Sequence, residues 1–147
     1  PEEYHGVGIN GKNSEFHAAM GIVNLNYAAQ ILQSRKKQST LYDELLHKIT
    51  VKKPKIATDV SFNYAYYPIV FDSHETMLRV KKSLEASEIY PRRYFYPSLS
   101  NLNYVADQSM AISDEIASRI LCLPLFYELS DVEIEMICRR ILRVLNN

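Results

Sequence analysis

At 147 residues, with 47% hydrophobic and 23% charged side chains, the chain has the length and composition of a single soluble globular domain. Seventeen basic residues cancel seventeen acidic ones, which removes the footprint of a nucleic-acid binder or of a protein with a polyanionic partner. No apolar run approaches the ~20 residues of a membrane span, and no signal-peptide pattern opens the chain. Cys122 and Cys138 sit in apolar contexts, where buried reduced thiols are expected, and with them a cytoplasmic location. The sequence starts at Pro1 rather than methionine and reads as a piece of a longer protein.

From Ser14, apolar residues fall at Phe16, Met20, Val23, Tyr27 and Ile31, with Ala19 and Ala28 on the same face. That spacing predicts a helix with one buried stripe, capped by Asn13 or Ser14. Arg35, Lys36 and Lys37 read as a solvated helix face. The helical pattern resumes through Leu41, Leu45 and Ile49 on a charged, exposed segment, and the stretch around Pro54 ends it. Residues 64–71 are β-branched and aromatic, predicting a strand in which Pro68 marks an edge or bulge. Asp72 and Glu75 stand at capping-box spacing before a helix lined by Met77, Val80, Lys81 and Leu84. A second strand is predicted over residues 89–95, then a polar loop over 98–111. A short helix from Ser113 runs into a third strand at 121–125. Ser130 and Glu133 form another capping box, and the closing helix buries Ile134, Ile137, Cys138, Ile141 and Leu145. The predicted fold is α/β, a small sheet with packed helices behind a long N-terminal helix.

The segment from Gly6 to Gly21 admits three readings. Gly6, Gly8 and Gly11 spell the dinucleotide fingerprint, and Gly6, Gly11 and Lys12 spell most of a P-loop. Both motifs need a preceding buried strand to aim a helix N-terminus at phosphate. Pro1, Glu2, Glu3, Tyr4 and His5 cannot supply one. The P-loop also has Asn13 where its magnesium-binding hydroxyl belongs, and no acidic residue follows at Rossmann spacing. Two readings survive: a glycine-shaped turn into a helix, or a loop serving another chemistry.

The run from Gly8 to Gly21 resembles the helix-entry motif of the DegT/DnrJ/EryC1/StrS sugar aminotransferases. Three further features follow in that family's order. Arg35, Tyr42 and Leu45 match its helix, Tyr66 to Phe71 its YxYYPVxF strand, and Pro91 to Leu99 its xRxYFxPSL loop. The block ending in RILCLPLFYELS and the final helix complete the likeness, which covers most of the chain. The resemblance implies the C-terminal small domain of a fold-type I enzyme dependent on pyridoxal 5'-phosphate (PLP). Residues 1–13 would be an entry loop, 14–49 a long helical segment and 56–147 the α/β small domain.

In that family the lysine that carries the cofactor lies upstream, and no lysine here matches its position. The resemblance therefore implies a half-site, with no catalytic residue in this chain and no transamination by the fragment alone. Asn10 would reach the PLP phosphate of the partner subunit in a homodimer; the plainer reading is an Asx-turn before a helix. Lys12 reads as a point charge near that anion or as a solvated lysine. Arg93, Tyr94 and Tyr96, with Phe95, would border the mouth that accepts a nucleotide-linked keto-sugar, with glutamate as amino donor. The plainer reading is an aromatic cluster packed on its own domain. Arg92 and Arg93 alternate faces on a strand, so one of them points at substrate, and Arg93 is preferred. His5, His17, His47 and His74 are scattered with no metal spacing. The alternative function is a non-catalytic α/β dimerisation or ligand-binding domain.

Overall fold

The structure is a computed structural model that describes residues 8, 11, 14–105 and 109–146. At its centre two short strands, β1 (Tyr67–Val70) and β2 (Ile120–Leu123), pair antiparallel with Tyr67 opposite Leu123 and Ile69 opposite Leu121. Single bridges widen the sheet on both sides, Lys52 to Val70 and Arg92 to Cys122. Period-two alternation sends Tyr67, Ile69, Phe71, Leu121 and Leu123 to one face, where all five are buried in the core. The missing N–H of Pro68 costs no bond to β2, because Cys122, opposite it, exchanges both its backbone bonds with Arg92. The predicted strand over 64–71 is thus shorter, β2 replaces the strand placed at 121–125, and the strand predicted over 89–95 is reduced to the bridge at Arg92. Pro91 within that segment and Pro97 just beyond it lack the donors a longer ladder needs.

Helices cover the core face. α3 (His74–Glu85) buries Met77, Val80 and Leu84, spaced three and four apart, and Lys81 reaches Glu85 in an ion pair of 2.6 Å at its edge. Its cap is Ser73, whose Oγ accepts the Thr76 N–H at 3.0 Å; the Asp72–Glu75 box is not formed. It ends with Glu88 at φ 59°, the Ile89 N–H returning to the Leu84 carbonyl and the Glu88 N–H to that of Glu85. That is a left-handed helix stop made without glycine. α4 (Ala111–Arg119) starts two residues before Ser113 and feeds directly into β2. α5 (Asp131–Leu145) buries Ile134, Ile137, Cys138 and Ile141 and packs on α3 and on α2 (Ala28–Leu46). The capping box of Ser130 and Glu133 is formed in both directions. Each large aliphatic side chain fully buried here stabilises the fold by roughly 1.5–3 kcal/mol.

The N-terminal helical region is two helices, α1 (Glu15–Leu25) and α2, separated by a turn at Asn26 and Tyr27. Ser14 caps α1, as expected of one of the two candidates. The buried stripe is not there: α1 buries none of its residues, with Phe16 86% and Leu25 72% exposed. Residues 16–34 contain no Asp, Glu, Lys or Arg, so this is an apolar helix with no cover among the described residues. The inner face of α2, by contrast, belongs to the core. Tyr42 is fully buried and stacked on Tyr67, and Leu41, Leu45 and Ile49 pack against the cluster rather than standing exposed. Cys122 and Cys138 are both free and buried.

Candidate functional site

α2 fixes the loop between β2 and α5 by polar contacts that its helical pattern does not announce. The buried Gln38 amide donates to the carbonyls of Phe126 (2.8 Å) and Leu129 (3.0 Å). Ser34 donates to the Tyr127 carbonyl, Tyr42 to that of Pro124, and Lys37 forms an ion pair with Asp131 at 2.7 Å. Arg35, on the same helix, then faces a cavity of about 700 Å³. The lining also takes in Tyr66, just before β1, Arg92 and Tyr94, the stretch from Cys122 to Phe126, and Met136 of α5.

The aromatic loop divides at this cavity. Arg92 Nη1 donates to the Tyr94 hydroxyl at 2.6 Å, and the Tyr94 ring meets that of Tyr66 edge-on at 5.3 Å. Both residues line the cavity. Arg93 instead lays its guanidinium 3.4 Å from the centre of the Tyr96 ring and donates to the Ser118 carbonyl at 3.3 Å. Of the trio Arg93, Tyr94 and Tyr96, the fold brings Tyr94 to the cavity wall and holds the other two as a stacked pair outside its lining. The alternation of 92 and 93 was legible in the sequence. Which of them faces inward is decided by the Arg92–Cys122 bridge. Arg35 and Tyr66 had no such signal, since the residues that line the cavity with them arrive from other elements of the fold. Asn10 and Lys12 lie outside the described residues, while Gly8 and Gly11 stand in open space, with nothing near the position a Cβ would take.

Titration at the site follows burial. The Cys122 thiol is pushed up by desolvation, against a backbone hydrogen bond from Tyr94 that pulls it down, so it stays protonated at neutral pH. Cys138 is pushed up to about 12 by burial alone. Neither suits a nucleophile. Hydrogen bonds from the Ser130 hydroxyl and backbone hold Glu133 below the usual carboxylate range.

A second cavity of about 460 Å³ lies beside α2 and the loop before β1, walled by Phe62, Tyr64 and Pro68. Its lysine, Lys53, is paired with Asp43, which also accepts from the Tyr67 hydroxyl. Burial and that carboxylate push the Tyr67 phenol up. Among the described residues no lysine lines the larger cavity, and the lysine of the smaller one is already engaged. Neither of these two cavities therefore presents an unengaged lysine to a cofactor held covalently. No group of three metal-ligating side chains is found among the described residues, and His17 and His74 are hydrogen-bonded to Ser14 and to the Ser118 carbonyl.

A small antiparallel sheet backed by helices, preceded by an apolar helix and carrying an arginine–tyrosine cavity, has a family likeness. The model of the DegT/DnrJ/EryC1/StrS aminotransferase family matches residues 2–142, and the chain belongs to that family. It is 33% identical over 135 residues to a dTDP-4-amino-4,6-dideoxy-D-glucose transaminase of Escherichia coli, covering 84% of this chain and 36% of that protein. It is 27% identical to a UDP-2-acetamido-2-deoxy-3-oxo-D-glucuronate aminotransferase of Pseudomonas aeruginosa, covering 90% of this chain and again 36% of the relative. Among solved structures, the aminotransferase TlmJ of Streptoalloteichus hindustanus superposes with a TM-score of 0.81 at 22% identity, over 88% of this chain and 35% of that one. The chain thus spans a little over a third of the curated relatives it matches.

Proposed function

We propose that this chain is the C-terminal portion of a PLP-dependent aminotransferase that moves an amino group from an amino-acid donor to a nucleotide-activated keto-sugar. The observation that carries the reading is the family match over residues 2–142 in a chain that spans only about 36% of its curated relatives. PLP, when bound, supplies the electron sink of the transfer. Among the described residues no lysine lines the larger cavity, and on this reading the lysine that holds the cofactor lies upstream, in a large domain outside this sequence. On this reading residues 1–13 are the entry loop from that domain, 14–49 the helical linker and 56–147 the small domain. The uncovered apolar side chains of α1 then pack on the rest of the enzyme. Asn10 donates its amide to the PLP phosphate of the partner subunit in a cytoplasmic homodimer, and Tyr94 borders the substrate mouth from the cavity wall, with the stacked pair Arg93 and Tyr96 beside it outside the lining. Substrates of this kind feed surface-polysaccharide or deoxyamino-sugar synthesis.

Three measurements test this. The coding sequence upstream of Pro1 is expected to contain a hydrophobic strand followed by Ser-x-x-x-x-Lys; its absence sinks the enzyme reading. The 147-residue chain, incubated with PLP, reduced with borohydride and mapped by mass spectrometry, is expected to carry no stoichiometric label. One fully labelled lysine overturns the upstream placement. In the intact enzyme, Asn10→Ala is expected to weaken PLP retention, and unchanged retention returns Asn10 to a turn residue.

A further inference from the structure

Arg35 is the cavity's unexplained charge. It is half-buried on α2, its Nε is closed to solvent without an acceptor, and no hydrogen bond or ion pair engages its guanidinium among the described residues. Its neighbours are accounted for: Lys37 has Asp131, and Arg92 has the Tyr94 hydroxyl. Two carboxylates share the cavity lining, and neither is paired with Arg35. Glu133 Oε2 is held by the Ser130 N–H (2.8 Å) and Oγ–H (2.6 Å), and Glu88 is exposed. A guanidinium whose Nε–H is closed to solvent without an acceptor favours an anion beside it, because native folds rarely leave such a donor unpaired. Its planar fork matches the two oxygens of a phosphate or carboxylate. The edge-on pair Tyr66 and Tyr94 lines the same cavity and offers apolar surface to a ring. About 700 Å³ lies within the range of small-molecule sites.

We propose that this cavity binds an oxyanion-bearing ligand, with Arg35 as the anchor of the anion and Arg92 at the rim. The ligand's ring lies against Tyr66 and Tyr94. The oxyanion has two sources, the diphosphate of a nucleotide or the carboxylate of an amino donor. The inference rests on the aminotransferase reading only for that choice of probes.

The test is titration of the ¹⁵N-labelled chain with thymidine diphosphate, inorganic pyrophosphate and glutarate, following the Arg35 Nε–Hε resonance and the affinity by calorimetry. At least one probe is expected to bind saturably and move that resonance. Pyrophosphate and thymidine diphosphate acting together identify a phosphate site, and glutarate alone a carboxylate site. Arg35→Gln is expected to weaken binding at least tenfold, and Arg92→Gln two- to fivefold. The wild-type resonance and the exposed-site variant Arg92→Gln keep the test decisive if Arg35→Gln fails to fold. Absence of binding by the wild-type chain up to tens of millimolar overturns the proposal, and so does unchanged affinity in Arg35→Gln. Neither outcome involves cofactor or turnover, so the aminotransferase reading stands or falls separately on the upstream lysine segment.

Discussion

α1 and α5 are both rich in apolar residues at helical spacing, yet the fold treats them in opposite ways. α5 places Ile134, Ile137, Cys138 and Ile141 in the core, opens on a reciprocal cap and sends its charged residues outward. α1 carries Phe16, Met20, Ile22, Val23 and Leu25 around its circumference, and none of them is buried. The contrast teaches what periodicity encodes. A clean stripe with a polar back specifies one covered face, which a single domain can supply. An apolar helix without a charged back asks for cover on more than one side, which the described residues of this chain do not provide.

The largest expected effect separates the two helices directly. Ile137→Ala should cost about 2–4 kcal/mol in urea unfolding, since Ile137 is buried and the cavity left behind adds to the lost transfer energy. Phe16→Ala in α1 should stay within about 0.5 kcal/mol. A comparable loss in both variants breaks the comparison, because it requires α1 to be packed.

The second test concerns how α5 begins. Ser130→Ala should cost about 1 kcal/mol at neutral pH by removing the hydroxyl that accepts the Glu133 N–H. Glu133 has a folded pKa below its ordinary value because it accepts from Ser130. Its contribution is therefore present above the unfolded pKa and lost as pH falls through the folded one. Asp114, held down by the hydroxyls of Ser100 and Ser98, adds to stability with the same sign. Stability should fall from about pH 4–5 downward, and the acid limb of Ser130→Ala should be shallower than that of wild type. Parallel limbs in the two proteins remove Glu133 from the account.

The smallest effect sharpens the end of α3. Glu88 occupies a left-handed backbone position without glycine, so Glu88→Gly should stabilise by up to about 1 kcal/mol, the relief of Cβ crowding less the entropy of glycine. A loss measured in the same urea titration assigns the Glu88 carboxylate a role of its own at the cavity mouth.

Much of the fold was legible because its signals are local. The Ser130–Glu133 box, the Met77, Val80 and Leu84 face and the alternation around Ile69 each lie within one element, where backbone geometry fixes the period. The strand predicted over 89–95 failed because Pro91 within it and Pro97 after it lack donors, leaving only Arg92 to find a partner. The cap of α3 was misassigned by one residue because Asp72 and Ser73 both carry acceptors, and only the extended backbone at Ser73 aims its oxygen at Thr76. The candidate site was less legible. Tyr94 was singled out beforehand, but the cavity's cation Arg35 read as part of a solvated run, because the α2–α5 packing that shelters it joins residues about 90 positions apart.

The sequence by itself determined the family, through motifs that occur in order along the chain, and the α/β class, through periods set by helix and strand geometry. Tertiary structure alone decided which arginine faces the cavity, which apolar helix is covered and where a guanidinium is left without an acceptor. Those are outcomes of long-range packing, and burial is a property of what arrives from elsewhere in the chain, which no local period records.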